Sequence, residues 1–147
     1  YDLRICLLSK EAWDALTGED VDRIKEPYIM ILSDKIKPLT ADWQEELAGN
    51  LERSEVGAVG GKIYDRRFCV ESAGYTKNKD GRLVPNFRGM NGHYSGYLHR
   101  ASLQQRVDGV ALDCMMIKKA AIEKKEKPVM SKNYIVVYDP YAKFKRK

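Results

Sequence analysis

Long apolar runs and a secretory leader are both missing from this chain of 147 residues. No stretch approaches the roughly 18 to 20 apolar residues that a spanning helix needs. No basic segment followed by an apolar one opens the sequence, as a signal peptide would. We therefore expect a protein of the cytoplasm.

Cysteine and histidine are also scarce. The three cysteines, Cys6, Cys69 and Cys114, are odd in number and far apart, and each has apolar or strand-forming neighbours. This pattern favours reduced thiols in a core over a disulfide framework. The two histidines, His93 and His99, lack a third ligand nearby and do not define a metal site.

The charge excess is moderate and spread along the chain. Lys and Arg number 26 against 21 Asp and Glu, with basic stretches at 118–127 and 143–147. A net charge of +5 suits a phosphate-bearing ligand, a polyanion or an anionic membrane surface, and does not choose among them. Residues 143–147, with Tyr141, could approach phosphate or a membrane, and a solvated tail is the commoner interpretation. No nucleic-acid-binding motif is present, so we expect no nucleic-acid partner.

The length and the 44% hydrophobic content predict one domain over residues 1–147. Tyr28–Leu32 is a short, wholly apolar run after Pro27, which indicates a strand buried on both faces. Open α/β sheets bind ligands at the carboxyl ends of their strands. Ser33, Asp34 and Lys35 therefore occupy a position suited to chemistry.

A helix is expected to follow, since Trp43, Leu47 and Leu51 recur at intervals of four and Thr40 can serve as its N-cap. Further strands are predicted at 56–64, 68–73, 107–117 and 134–138, the last ended by Asp139 and Pro140. Residues 118–127 have helical composition. Residues 74–106 have weak periodicity, which predicts a long loop of the kind that often carries function.

Five segments, in order, carry a resemblance to a known family. They are YIMILSDKIKPLTADW (28–43), VGAVGGKIY (56–64), ESAGY (71–75), VDGVALDCMMIKKAAIEK (107–124) and YIVVYDPYAKF (134–144). Together they resemble the central and C-terminal parts of family 2 glycosyltransferases, particularly the rhamnosyltransferase-like branch. The resemblance implies an α/β, GT-A-like (Rossmann-like) domain: a mostly parallel sheet flanked by helices, here incomplete.

The resemblance also implies an activity. Such enzymes transfer a sugar from a nucleotide diphosphate sugar to a glycan or lipid-linked glycan, in cell-wall or surface polysaccharide synthesis of bacterial type. Peripheral contact with the inner face of the membrane fits that role. The alternative is a degenerate relative that binds nucleotide or glycan without turnover.

Departures from the family pattern favour that alternative. After residue 124 the family continues into a glycine-rich turn with acidic residues, whereas this chain continues as KEKP. Residues 1–10 fit either the early strand of the family or the helix before the YIVVYDPYAKF strand. Chain order favours the early strand, and the helix would indicate a rejoined fragment.

The family pattern assigns roles to the residues after the 28–32 strand. Asp34 aligns with the first acid of Leu-x-Asp-Asp-x-x-Pro-Leu, which implies contact with the ribose or with Mg²⁺ or Mn²⁺ bridging the diphosphate. Lys35 stands where the metal-holding acid is expected, and an ammonium cannot coordinate a cation. Lys35 is instead suited to contact the diphosphate directly. The plainer interpretation is that Asp34 caps a turn and Lys35 is solvated.

Two further groups are candidates. His93, Tyr94, Tyr97, His99 and Arg100 combine aromatic faces with hydrogen-bond donors, which suits sugar contact or, alternatively, a loop held by its own tyrosines.

Asp108 and Asp113 flank an apolar stretch that matches the family segment beside the donor sugar. Their spacing of five puts them on opposite faces of one strand. We choose Asp113 as the candidate general base. The alternative is a structural aspartate.

Overall fold

The computed structural model describes residues 4–91, 104–123 and 128–147. Its helices are α1 (Lys10–Asp14), α2 (Gly18–Arg23) and α3 (Trp43–Leu51), and Lys119–Ala121 forms a 3-10 turn. Its strands are β1 (Ile5–Leu8), β2 (Tyr28–Leu32), β3 (Ile36–Pro38), β4 (Val56–Tyr64), β5 (Val70–Ser72), β6 (Tyr75–Lys77), β7 (Leu83–Pro85), β8 (Gln105–Val107), β9 (Cys114–Lys118), β10 (Ile122–Glu123), β11 (Val129–Met130) and β12 (Ile135–Arg146).

An eight-stranded sheet organises the described residues. Six strands follow the order β1-β2-β9-β4-β12-β3, while β5 pairs with β4 and β8 pairs with β12. Separate two-stranded ribbons are formed by β6 with β7 and by β10 with β11. No helix among the described residues is long and apolar enough to cross a membrane.

The expected mostly parallel, helix-flanked GT-A-like sheet is wrong. In the large sheet β1–β2 and β4–β12 are parallel, whereas β2–β9, β9–β4, β12–β3, β4–β5 and β12–β8 are antiparallel. The three helices have only five, six and nine residues. Apolar runs buried on both faces do not encode strand direction, so the antiparallel pairings could not be predicted from them.

In the described part of residues 1–10, Ile5–Leu8 is a strand and not the alternative helix. Ile5 pairs in parallel with Tyr28, and two short helices connect the strands. Ser9 caps α1 by accepting a hydrogen bond from the Ala12 amide, and Thr17 forms a capping box with Asp20 at α2. These caps allow such short helices to pack against the sheet.

The core lies on both faces of the sheet, as expected for β2 and β4. One cluster joins Leu47 and Leu51 of α3 to Val59 of β4, and another joins Trp13 of α1 to Ile29 and Ile31 of β2. In the predicted strands, Ile29, Ile31, Val59 and Val137 are buried, whereas Val110 and Ile135 are half-buried.

The helix predicted after Thr40 is present as α3, but its N-terminus differs. Asp42 occupies the N-cap without a capping hydrogen bond, and the Thr40 hydroxyl instead accepts one from the Lys143 amide. The helical interpretation of 118–127 is wrong where the chain is described, since a 3-10 turn leads into β10. Within 74–106 the described part contains the β6–β7 ribbon.

The strand predicted to end at Asp139 continues as β12 to Arg146. The register with β4 shifts between Asp139 and Lys143, which marks a β-bulge around Pro140. A bulge tolerates a proline, because the missing amide falls where the ladder is already interrupted. As a result, β12 brings the basic residues 143–146 into the sheet.

Candidate functional site

The carboxyl end of β2 meets the start of β9. The Ser33 amide donates to the Asp113 carbonyl at 2.7 Å, and the Ser33 hydroxyl accepts from the Lys35 amide at 3.2 Å. The turn therefore holds Asp34 and Lys35 in solvent, next to Asp113. Three of the residues chosen from the sequence are thus brought together.

Asp113 is partly buried and paired through both carboxylate oxygens. Its Oδ1 lies 3.4 Å from Lys10 Nζ and its Oδ2 lies 3.2 Å from Arg146 Nη2. Lys10 is the first residue of α1, so the cap at Ser9 also holds the backbone from which this side chain reaches Asp113. Charge balance at Asp113 therefore depends on elements distant in sequence.

Arg146 also grips Glu71 in a bidentate pair. Its Nε lies 2.7 Å and its Nη2 lies 2.6 Å from the two Glu71 oxygens. These hydrogen bonds, offset in part by burial and helped by Asp113, hold the pKa of Arg146 above its usual range. The planar fork is suited to this geometry. Arg146 is therefore not part of a solvated tail, which corrects the interpretation of 143–147.

The basic strand end also borders the Asp34–Lys35 turn. The Lys147 amide donates to the Lys35 carbonyl at 2.8 Å, and Arg66 Nε donates to the Lys147 carbonyl at 2.7 Å. Lys35 and Lys147 therefore lie together at the edge of the sheet to which Asp34 belongs, whereas the charge of Arg146 is already paired with Glu71 and Asp113. An anionic ligand is the natural complement of such an edge.

An open cleft of about 320 Å³ lies beside Asp113. Its lining combines two charges, one tyrosine and apolar side chains: Lys10, Tyr75, Leu83, Val110, Ala111, Leu112 and Asp113. The β6–β7 ribbon supplies one wall, and the Tyr75 amide anchors it by donating to the Gly109 carbonyl at 2.8 Å. An aromatic ring near paired charges suits a sugar or nucleotide.

Asp108 has a different role from Asp113. The two residues do not lie on one strand, since Asp108 follows β8 and Asp113 precedes β9. The exposed Asp108 carboxylate accepts from the Lys77 amide at 2.8 Å and secures the ribbon. The prediction of opposite faces of one strand is therefore wrong.

The ligands offered at the turn are a poor set for a divalent cation. Asp34 provides one exposed carboxylate, Lys35 is an ammonium, and Asp113 is engaged by two cations. Mg²⁺ and Mn²⁺ prefer oxygen ligands. Among the described residues, no group of three His, Cys, Asp or Glu side chains is placed to hold a metal.

The loop candidates His93, Tyr94, Tyr97, His99 and Arg100 lie outside the described residues. Sugar contact by this cluster remains a prediction.

Two residues of the site were missed from the sequence, Lys10 and Glu71, and Arg146 was considered only as a contact for phosphate or a membrane. Glu71 stands 75 residues from its partner Arg146. The only local signal was the position of Glu71 within the ESAGY segment.

A second polar cluster lies under α3. The fully buried Asp139 accepts from Asn50 Nδ2 at 2.7 Å and from the Tyr141 amide at 2.9 Å. A hydrogen bond to Asp139, followed by burial and the charges of Asp139 and Asp42, raises the pKa of Glu46 to about 7. An open cleft of about 450 Å³ borders this cluster.

Comparisons with known proteins give little about function. No protein-family model matches the chain. It is 25% identical over 107 residues to the uncharacterized protein y4gI of Sinorhizobium fredii (strain NBRC 101917 / NGR234). That match covers 73% of this chain and 12% of the relative, so the chain spans a small part of that protein. A solved structure, that of A197 from STIV, covers 76% of this chain and 44% of its own at 16% identity, with a TM-score of 0.42.

Proposed function

We propose that this chain binds a nucleotide diphosphate sugar and belongs to a domain that transfers the sugar to a glycan acceptor. The observation that carries the proposal is the hydrogen bond from the Ser33 amide to the Asp113 carbonyl. This bond sets a candidate base beside the Asp34–Lys35 turn and the cleft that contains Tyr75. The resemblance of five segments to family 2 glycosyltransferases supports the same activity.

The basic groups suit the leaving diphosphate. Glycosyl transfer leaves negative charge on the diphosphate as the bond to the sugar breaks, and fixed cations stabilise that charge. Lys35 and Lys147 border the turn, and Lys10 lines the cleft. We assign Lys35 to the diphosphate and Asp34 to the ribose.

Asp113 is the proposed general base for the acceptor hydroxyl. Proton removal requires a carboxylate oxygen within hydrogen-bond reach of the hydroxyl. Both oxygens are paired with cations here, so an acceptor must displace Lys10 or Arg146 from one of them. Lys10 is the easier partner to displace, because its contact is longer and Arg146 is also held by Glu71.

The second candidate is a binding module without turnover. It is favoured by the same pairing of Asp113 and by Lys35, which replaces the acid expected to hold a cation. We place either activity in the cytoplasm, with the exposed Lys143 available to contact the inner face of a membrane.

Calorimetric titration of UDP, GDP and dTDP, with and without Mn²⁺, tests the binding site. We expect weak binding with little gain from Mn²⁺, because a positive side chain at residue 35 repels the metal. Lys35→Asp should introduce manganese dependence. Lys37→Asp, the same change at an exposed position of β3, should not. Tight, manganese-dependent binding by the unaltered chain would refute the assigned role of Lys35.

Measuring nucleoside diphosphate release from nucleotide sugars separates the two candidate functions. If the unaltered chain releases nucleoside diphosphate, Asp113→Asn should reduce the release rate by about 10² to 10⁴, as expected for loss of a general base. Asp108→Asn should leave the release rate within about twofold of that of the unaltered chain, because the Asp108 carboxylate holds the β6–β7 ribbon and has no proposed catalytic role. Binding without release in the unaltered chain would favour the binding module.

A further inference from the structure

A buried lysine without a countercharge lies in the centre of the sheet. Lys62 of β4 is 4% exposed. No hydrogen bond or ion pair joins it to another side chain across 4–91, 104–123 and 128–147. Its ammonium lies 5.4 Å from the centroid of the Tyr64 ring, which offsets only part of the cost of burying a charge.

The neighbouring strand adds a second positive charge. Lys143 of β12 is the direct partner of Lys62 in the parallel pairing with β4. Burial, followed by the charge of Lys143, lowers the pKa of Lys62. Folding thus places two lysines in register on neighbouring strands, an arrangement that an anion would stabilise.

The ammonium of Lys62 is not completely enclosed by the protein. Every fully buried side-chain nitrogen or oxygen of the described residues has a hydrogen-bond partner. The Lys62 ammonium forms no hydrogen bond within 4–91, 104–123 and 128–147, so its tip is less completely enclosed than its buried stem. A long side chain with a buried stem and a wet head is ordinary for lysine.

The strand register brings Lys62 beside the candidate site. Gly60 of β4 pairs with Met115 near the start of β9, and Lys62 lies two residues further along β4, in the direction of Asp113, which precedes β9. Successive side chains alternate between faces, and Gly60 and Lys62 therefore share one face. A Cβ on Gly60 would lie 2.5 Å from Val110, which lines the cleft.

Asp113 does not neutralise Lys62. Its two oxygens are engaged by Lys10 and Arg146. The positive charge of Lys62 and Lys143 is therefore left for a ligand on the face that carries the cleft.

We propose that Lys62 and Lys143 form a binding site for a phosphate-type oxyanion. The inference rests on the proposed function for the identity of the ligand, which would be the diphosphate of the nucleotide sugar. The Asp34–Lys35 turn is a poor site for a divalent cation. The two ammonium groups would supply part of the positive charge that such a cation would otherwise provide. The same chemistry would bind free pyrophosphate.

Titration of pyrophosphate at low ionic strength, without metal, tests this site. Lys62→Met and Lys143→Met should each weaken binding by about tenfold, because each removes a charge-assisted hydrogen bond to the anion. Lys132→Met, in the turn before β12, loses the same charge at the opposite end of the strand and should leave affinity within about twofold. Lys143 is exposed, so its variant tests the site even if Lys62→Met folds poorly.

Equal pyrophosphate affinity in all four proteins, or no binding by the unaltered chain at millimolar concentration, would overturn the inference. Parallel titrations of UDP, GDP and dTDP distinguish it from the proposed function. If pyrophosphate binding depends on Lys62 but no nucleoside diphosphate binds, the oxyanion site stands and the proposed function fails. If a nucleoside diphosphate binds equally well to the unaltered chain and to Lys62→Met, the inference fails alone.

Discussion

The stability of the protein should fall as the pH rises through neutrality because of Glu46. This side chain of α3 shares a hydrogen bond with the fully buried Asp139, which two carboxyl groups can form only if one is protonated. Asp42 and Glu45 of the same helix add negative charge nearby, and Arg53 is turned to Asn50. The proton required is therefore held by Glu46.

The direction of this pH dependence follows from the linkage between proton binding and folding. The pKa of Glu46 rises from 4.5 to about 7 on folding, so the folded state binds more protons than the unfolded state between these values. The stabilisation is fully present below pH 4.5 and is lost as the pH rises through about 7. A shift of this size corresponds to at most about 3.4 kcal/mol at 1.36 kcal/mol per unit. Contact of Glu46 with water reduces the expected effect to about 1 to 2 kcal/mol.

Glu46→Gln tests the reasoning, since an amide can donate to Asp139 without needing a proton. Urea unfolding should show equal stability of the two proteins near pH 5 and an advantage of about 1 to 2 kcal/mol for Glu46→Gln near pH 8. Glu45→Gln removes the same charge from an exposed neighbour and should change stability by less than about 0.5 kcal/mol at both values. A stability difference between Glu46→Gln and the unaltered chain that does not change with pH would refute the assignment.

Three further stability predictions can be measured by the same unfolding assay. Gly61→Ala should destabilise by about 2 to 4 kcal/mol, because its Cβ would lie 2.4 Å from the Ala142 carbonyl oxygen; unchanged stability would contradict this packing. Gly49→Ala, with nothing within 4 Å of its Cβ on an exposed position of α3, should stabilise by about 0.5 to 1 kcal/mol, and a loss would indicate a helix distorted there. Arg146→Met should cost about 1 to 3 kcal/mol by leaving Glu71 without its partner, and Glu71→Gln in the same background should recover part of that loss.

The parts of the fold that were predictable from sequence are those set by local pattern. Tyr28–Leu32 and Val56–Tyr64 are uninterrupted apolar or small-residue runs, and the spacing of Trp43, Leu47 and Leu51 marks one face of a helix. Strand direction was not predictable in this way. Because Asp113 already lies at the carboxyl end of β2, β9 has to run back antiparallel to it, and no local pattern encodes that approach.

The candidate site was predictable only in part, for a similar reason. Asp34, Lys35 and Asp113 stand next to strong apolar runs and were found by position. Lys10 and Arg146, which complete the environment of Asp113, come from opposite ends of the described chain. The continuation of β12 beyond the bulge at Pro140 was not predicted, because a proline followed by basic residues is typical of the end of a strand.

The short strand β3 has a consequence for how the site fluctuates. It has three residues and lies at the edge of the large sheet, where β12 is its one partner among the strands that the structure describes. In contrast, β2 and β4 are flanked on both sides and almost wholly buried. Amide hydrogen exchange should therefore be fast in β3 and slowest in β2 and β4. Lys35 lies between β2 and β3, so its amide should exchange faster than the Ser33 amide, which donates to the Asp113 carbonyl.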